Sequence, residues 1–271
     1  MTNLEIKSKS KKEKINIYNN NDFKNMRKAC LLAAKTLDFI TEYVKPGVTT
    51  EKLNDLCHNY IVNNKAIPAP LNYNGFPKSI CSSVNHVVCH GIPSNKILDK
   101  GDILNIDVTV ILNGWYGDTS RMYIVGNKAS IKANKLINIT YECLIDAIKI
   151  VKPGCYLGDI GYFIENKAKK NNLSVVKDFC GHGVGKDFHE PPSVLHYGRK
   201  NTGLKLKKGM IFTIEPMLNL GNEDVKILND GWTAVTKDKQ LSAQFEHTIG
   251  VTNNGYEIFT LSPKNLHKPP Y

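Results

Sequence analysis

One four-residue segment of this chain occurs twice. Val44-Lys45-Pro46-Gly47 returns 107 positions later as Val151-Lys152-Pro153-Gly154. Each copy closes a stretch with the period of an amphipathic helix. In 21–45, Phe23, Met26, Cys30, Ala33, Leu37, Ile40 and Val44 fall on one face. Asn21 or Asp22 can cap the start, and Pro46-Gly47 ends it. A second helix follows at about 50–65, with Leu53, Leu56, Cys57, Tyr60 and Ile61 apolar. The second copy predicts a helix over about 130–151 carrying Leu136, Ile137, Leu144, Ile145 and Ile148, then another over about 157–170. Both helix pairs lead into strand-like sequence that holds carboxylates. Asp107 lies 63 residues after Val44, and Glu215 lies 64 after Val151. The order and spacing predict an α+β fold: two similar α/β halves that place their carboxylates across a shared central cleft.

The first carboxylate pair can be placed by counting. Over 103–112, Leu104, Ile106, Val108, Val110 and Leu112 alternate with Asn105, Asp107 and Thr109. Asn113-Gly114 is a strong hairpin signal. With those two residues as the turn, Leu112 pairs with Trp115, and Asp118 falls opposite Thr109. Asp107 is then its diagonal neighbour, at roughly 7–8 Å between backbones. Two further acids sit in apolar, strand-like surroundings. Glu215 ends Met210-Ile211-Phe212-Thr213-Ile214, and Glu246 shares a face with Gln244 and Thr248. An ionised carboxylate in such surroundings is costly unless paired or bound to a metal.

Histidines complete a ligand set. His182 lies in Gly181-His182-Gly183, where missing side chains let a ligand or metal approach the backbone. His90 lies in Val87-Val88-Cys89-His90-Gly91-Ile92-Pro93, and His189 in Phe188-His189-Glu190-Pro191-Pro192. Asp107, Asp118, His182, Glu215 and Glu246 are the candidate ligands. Four acids with no matching Lys or Arg cluster over-supply one cation, so two divalent ions fit better. Mixed carboxylate and imidazole donors suit Mn, Fe, Co or Zn alike. His58, His86, His196, His247 and His267 read as ordinary loop or core histidines.

Bulk properties exclude other classes. No run of about 18 apolar residues is present to span a membrane. The formal net charge is +11, partly from Lys7, Lys9, Lys11, Lys12 and Lys14 against Glu5 and Glu13. That stretch has almost no apolar content and is expected to be disordered, either as a solvated tail or as a basic arm for RNA. It lacks the apolar core of a secretory signal. Seven cysteines with no Cys-x-x-Cys pair point to a reducing compartment, without structural disulfides or a zinc finger.

Six motifs together resemble the type I methionine aminopeptidases. They are Asn85-His86-Val87-Val88-Cys89-His90-Gly91-Ile92-Pro93, Asn105-Ile106-Asp107-Val108-Thr109, Gly117-Asp118-Thr119-Ser120, Gly181-His182-Gly183-Val184-Gly185, Thr213-Ile214-Glu215-Pro216-Met217 and Ser242-Ala243-Gln244-Phe245-Glu246-His247-Thr248. The likeness runs over about residues 20–260 in one order. It implies the "pita-bread" fold, with two pseudo-symmetric α/β halves around a central antiparallel sheet.

The resemblance also implies roles. Asp107, Asp118 and Glu246 would hold one metal, and Asp118, His182, Glu215 and Glu246 the other, so that Asp118 and Glu246 bridge. A metal-bridged hydroxide would attack the carbonyl after the initiator Met. His189 would stabilise the oxyanion, His90 would contact the scissile amide, and Glu215 would also shuttle a proton. Tyr73, Phe76, Cys81, Phe188 and Trp232 match positions lining the methionine pocket; an apolar pocket with a thiol and aromatics suits a thioether. Asn85, Val87 and Ser242 match a monovalent-cation site seen in some members. The substrates would be nascent polypeptide N-termini with a small second residue.

His86 departs from the family pattern, standing where many members have an acidic residue. The Cys-rich zinc-binding extension of eukaryotic cytosolic enzymes and the long insertion of type II are both expected to be absent, leaving the short, bacterial-like form. The expected layout is a basic tail over 1–19, one catalytic domain over 20–262 and a C-terminal tail over 263–271. The expected setting is a monomer in the cytoplasm or an organelle, with a basic surface suited to the ribosome. Two alternatives stand beside this reading: a proline-directed peptidase of the same fold, and a non-catalytic RNA- or ribosome-binding member.

Overall fold

The computed structural model describes residues 14–271, so most of the basic N-terminal stretch lies outside the described residues. Four helices appear where the periodicity placed them: α1 (Asn20–Ile40), α2 (Thr50–Asn63), α3 (Ile131–Lys149) and α4 (Leu157–Lys170). Their ends differ in detail. The cap of α1 is Asn19, rather than Asn21 or Asp22. Its side chain accepts from Asn21 N and Asp22 N, while the Asp22 carboxylate accepts from Asn19 N. This reciprocal arrangement satisfies donors at both ends of the first turn. α1 stops at Ile40, and a 3-10 turn over Thr41–Tyr43 follows. Val44 and Lys45 leave the helix ahead of Pro46, whose ring disfavours helical backbone in the residue before it.

The strands Ile103–Leu112 and Trp115–Ile124 form the expected hairpin, with Leu112 paired to Trp115 and Thr109 to Asp118. Asn113 and Gly114 both have positive φ, 52° and 78°, as a type I′ turn requires. One face of the hairpin closes the core of the first half. Leu104, Ile106, Val108, Val110 and Tyr123 bury themselves against Ala33, Leu37 and Ile40 of α1 and Leu53, Cys57 and Ile61 of α2. The core of the second half packs α3 and α4 against Phe212, Ile214, Phe245, Ile249 and Val251. Its main sheet has five antiparallel strands, in the order Tyr256–Ile258, His247–Val251, Ile211–Ile214, Gly181–Gly183 and Glu190–Val194.

The two halves are stitched along Trp115–Ile124. Glu246 N donates to Ser120 O at 3.1 Å, Thr119 Oγ1 to Glu246 O at 2.7 Å, and Thr248 Oγ1 to Asp118 O at 2.6 Å. Asn105 Nδ2 reaches Gln244 O at 2.8 Å. These bonds bring the acids of the two halves to one place. Flanking residues also pack on the body. Tyr18 N donates to Gly209 O at 2.8 Å, and the Tyr271 hydroxyl donates to Met122 O at 3.1 Å beside the Tyr123 ring.

Gly117 lets α1 lie directly on the hairpin. A Cβ there would sit 2.3 Å from Ala29 C and 2.5 Å from Cys30 N, both backbone atoms. Gly117→Ala should therefore cost about 1–3 kcal/mol through overpacking. A thermal melt checks this; an unchanged midpoint would show that α1 can retreat freely.

Candidate metal and substrate site

The strands deliver the five candidate ligands in different ways. Asp107 and Asp118 lie within the hairpin strands, as counted. Glu215 and Glu246 do not lie within strands. The two segments that carry them pair as Ile211–Ile214 with His247–Val251, and again as Met217–Asn219 with Ser242–Gln244. Between these ladders Glu215-Pro216 faces Phe245-Glu246, and regular pairing lapses there. Pro216 has no N–H to give to a ladder. The lapse frees both carboxylates to turn toward the hairpin.

His182 is fixed from both sides. His182 N donates to Thr213 Oγ1 at 3.0 Å, and its ring Nδ1 lies 3.0 Å from Gly183 O. With Nδ1–H given to that carbonyl, Nε2 carries the free lone pair. The flanking glycines have a structural cause that the sequence reading did not identify. A Cβ on Gly181 would meet Thr213 O at 2.4 Å, and one on Gly183 would meet Pro191 O at 2.3 Å. The missing side chains admit neighbouring backbone, not a ligand.

Asp118, His182 and Glu246 each bring a ligand atom within 4.8 Å of the others. His182 Nε2 lies 3.6 Å from Asp118 Oδ2 and 3.6 Å from Glu215 Oε1. Asp107 stands outside that triplet but lines the same cavity. Three side chains not singled out from sequence orient the acids. Thr109 Oγ1 donates to Asp118 Oδ1 at 2.7 Å, Thr213 Oγ1 to Glu215 Oε1 at 2.8 Å, and Gln244 Nε2 to Glu215 Oε2 at 3.2 Å. Thr109 was legible as the residue opposite Asp118, and Thr213 as the same-face neighbour two residues before Glu215. His196, read as an ordinary core histidine, is fully buried, and its Nε2 accepts from Glu215 N at 3.2 Å.

The electrostatics are those of an uncompensated acid cluster. Among the described residues, no Lys or Arg lines the cavity. Burial pushes Asp118 up to about 7 and, with repulsion from Asp118 added, Glu215 up to about 8. Burial and then Asp118 raise Asp107 and Glu246 well above the usual carboxylate range. Burial lowers His182 to about 3, leaving a neutral imidazole at neutral pH. Four acids that resist ionisation and a neutral nitrogen donor fit divalent cations, which would restore the charged carboxylates. The sign of the pH dependence follows. In the metal-free protein, these acids hold protons that the unfolded chain has released. Stability is fully present below the unfolded pKa, near 4, and is lost as pH rises through the folded values of about 7 and 8. The chelated protein should thus melt several degrees lower at about pH 8 than at about pH 5.5. Metal added at the higher pH should restore the midpoint and release protons. A midpoint that rises with pH in the chelated protein would contradict this account.

The cavity is about 310 Å³. It gathers every residue proposed from sequence for substrate contact: Tyr73, Phe76, Cys81, His90, Phe188, His189 and Trp232. The aromatic rings interlock. Phe76 meets Trp232 edge-on at 5.2 Å, and Tyr73 meets Phe188 at 4.8 Å. Tyr73 Oη lies 2.8 Å from His189 Nδ1. His90 stands edge-on to Phe179 at 5.3 Å, with a left-handed backbone, φ 55°, that is uncommon outside glycine. Burial lowers His90 to about 4; burial and then the neighbouring His182 lower His189 further. Phe179 and Met217 also line the cavity, with no sequence signal beyond their apolar character. Asn85 and Ser242 meet elsewhere, through Ser242 N donating to Asn85 O at 2.9 Å, while Val87 pairs with Val235.

The pattern of metallopeptidase family M24 matches residues 24–253. The chain belongs to that family. It is 64% identical over 258 residues to the methionine aminopeptidase of Rickettsia prowazekii (strain Madrid E), covering 95% of this chain and 99% of that one. The crystal structure of methionine aminopeptidase from Rickettsia prowazekii superimposes with a TM-score of 0.90 at 63% identity, over 92% of this chain and 100% of that one. A prolidase from Pyrococcus furiosus shares the fold alone, with a TM-score of 0.73 at 23% identity over 90% of this chain and 65% of that one. The fold is accordingly the pita-bread fold, and membership in this family carries the use of divalent metal.

Proposed function

We propose that this protein is a methionyl aminopeptidase that removes the initiator methionine from nascent chains whose second residue is small. The observation that carries the reading is the meeting of an acid-rich ligand cluster with an aromatic pocket in one cavity of about 310 Å³. We further propose two divalent ions, drawn from Co, Mn, Fe or Zn. Asp107, Asp118 and Glu246 would hold one, and Asp118, His182, Glu215 and Glu246 the other. Bound there, the ions would supply Lewis acidity and activate water at neutral pH. The protein's own groups do the rest. Tyr73, Phe76, Cys81, Phe188 and Trp232 enclose the methionine side chain and exclude water. The tautomer in which the Tyr73 hydroxyl donates to His189 Nδ1 leaves Nε2–H free to donate to the developing oxyanion. His90 contacts the scissile amide, and Glu215 passes a proton toward the leaving amine.

The catalytic unit is proposed as a single domain over 20–262, with 14–19 and 263–271 packed on it. No helix among the described residues is long and apolar enough to cross a membrane. We place the protein's work in the cytoplasm, as a monomer, with the +11 charge favouring the ribosome, where N-termini emerge. Asn85, Val87 and Ser242 are kept as a proposed monovalent-cation site.

The test is methionine release from Met-Ala-Ser by metal-stripped protein titrated with Co(II), Mn(II) or Fe(II), with Met-Lys-Ser and an Ala-Pro peptide alongside. Metal-dependent cleavage of Met-Ala-Ser alone is expected. Cleavage of the Ala-Pro peptide instead would move the chain toward the proline-directed relatives. No cleavage with any metal would leave a binding module.

A further inference from the structure

The loop between His182 and Glu190 carries Phe188 and His189 into the cavity, and Glu190, which closes it, is held by the segment that precedes α1. Glu190 is 5% exposed. Its carboxylate accepts from Lys186 N at 3.0 Å and Asp187 N at 3.1 Å, which folds the loop back on itself. Both of its oxygens also lie 2.7 Å from Tyr18 Oη, and Oε2 accepts from Asn16 Nδ2 at 2.8 Å. Asn16 and Tyr18 belong to the segment that precedes α1. Tyr18 is itself fixed, by its N–H on Gly209 O at 2.8 Å and by its ring edge-on to Trp115 at 5.5 Å. Gly185 makes the reach possible, because a Cβ there would lie 2.0 Å from Tyr18 Oη. Next to Glu190 in sequence, the His189 ring stacks on Phe188, centroids 4.4 Å apart, and stands 4.4 Å from the His182 ring.

We propose that Tyr18 is a positioning residue for His189: by clamping Glu190, the N-terminal segment sets the loop that aims the His189 ring at the scissile carbonyl. The inference rests on the role proposed above for His189. A buried carboxylate that orders a loop needs its donors, and two of the four here come from outside the loop. Without the Tyr18 hydroxyl, Glu190 can swing with Asn16 alone, and the loop gains freedom where an oxyanion donor tolerates little. Because that donor acts on the transition state more than on the bound substrate, the loss belongs in kcat and not in KM.

The test is a double-mutant cycle on the metal-loaded protein, using Tyr18→Phe and His189→Ala with Met-Ala-Ser as substrate. Tyr18→Phe should lower kcat by roughly tenfold with KM within about twofold. Metal content should be unchanged. In the His189→Ala background the same substitution should have no further effect. Gly185→Ala, which displaces the hydroxyl from the other side, should reproduce the kcat loss. A Tyr18→Phe effect confined to KM, or one of equal size with and without His189, would overturn the proposal. A second readout separates it from the functional reading. Exchange of the Lys186 and Asp187 amides should quicken by roughly tenfold in Tyr18→Phe, whatever the substrate. Should the wild type fail to cleave Met-Ala-Ser, the functional reading falls, and unchanged exchange at those two amides would still sink the clamp.

Discussion

Asp118→Ala should abolish turnover and metal binding together. Asp118 stands where the two halves meet: its side chain is among the Asp118, His182 and Glu246 ligand atoms within 4.8 Å of one another, and its backbone carbonyl accepts the Thr248 hydroxyl. As a proposed ligand of both ions, it would contribute to each, so its removal would leave neither with a full donor set. The lost transition-state stabilisation is several kcal/mol, at about 1.4 kcal/mol per tenfold in rate, so kcat/KM should fall by roughly 10³-fold or more. The apo fold should survive and even gain. After burial, repulsion from Asp118 is the next cause that raises Asp107, Glu215 and Glu246, and deleting it relieves that part. Two measurements decide the matter: metal content by elemental analysis after dialysis, and the midpoint of the chelated protein. A metal-replete, active Asp118→Ala protein would remove Asp118 from the bridge.

How much of this site could be read from sequence depended on how local its causes are. The hairpin was legible because period-two alternation and the Asn113-Gly114 turn set each pairing within twenty-two residues, so Asp118 could be counted to its place opposite Thr109. The helices were legible because Pro46-Gly47 and Pro153-Gly154 punctuate a 3.6-residue period. The cap of α1 was not, because Asn19, Asn20 and Asn21 are consecutive and only backbone geometry selects among them. Glu215 and Glu246 were recognisable as ligand candidates but misplaced within strands. The alternation of Gln244, Glu246 and Thr248 continues through a place where the ladder itself stops, and what stops it is a distant segment carrying Pro216. The glycines beside His182 followed the same pattern: their need is set by Thr213 and Pro191, on neighbouring strands. The Tyr18–Glu190 contact spans 172 residues and leaves no local trace at all.

That division bears on the other large effect. His189→Ala should keep its metal and lose its turnover. The ring lies close to the ligands, 4.4 Å from His182, yet its Nδ1 is engaged by the Tyr73 hydroxyl at 2.8 Å rather than by a carboxylate. Burial, with a second histidine, His182, beside it, holds His189 neutral at working pH, so it offers one N–H to a developing negative charge and competes for no proton. Removing one such donor typically lowers kcat by about 10²–10³-fold, some 3–4 kcal/mol. KM should move little, because the ground-state carbonyl asks less of the donor than the transition state does. Steady-state kinetics on Met-Ala-Ser, with metal analysis of the same sample, tests both halves of the claim. Loss of one equivalent of metal would place His189 among the ligands, and a rise in KM with kcat intact would make it a binding residue of the aromatic pocket.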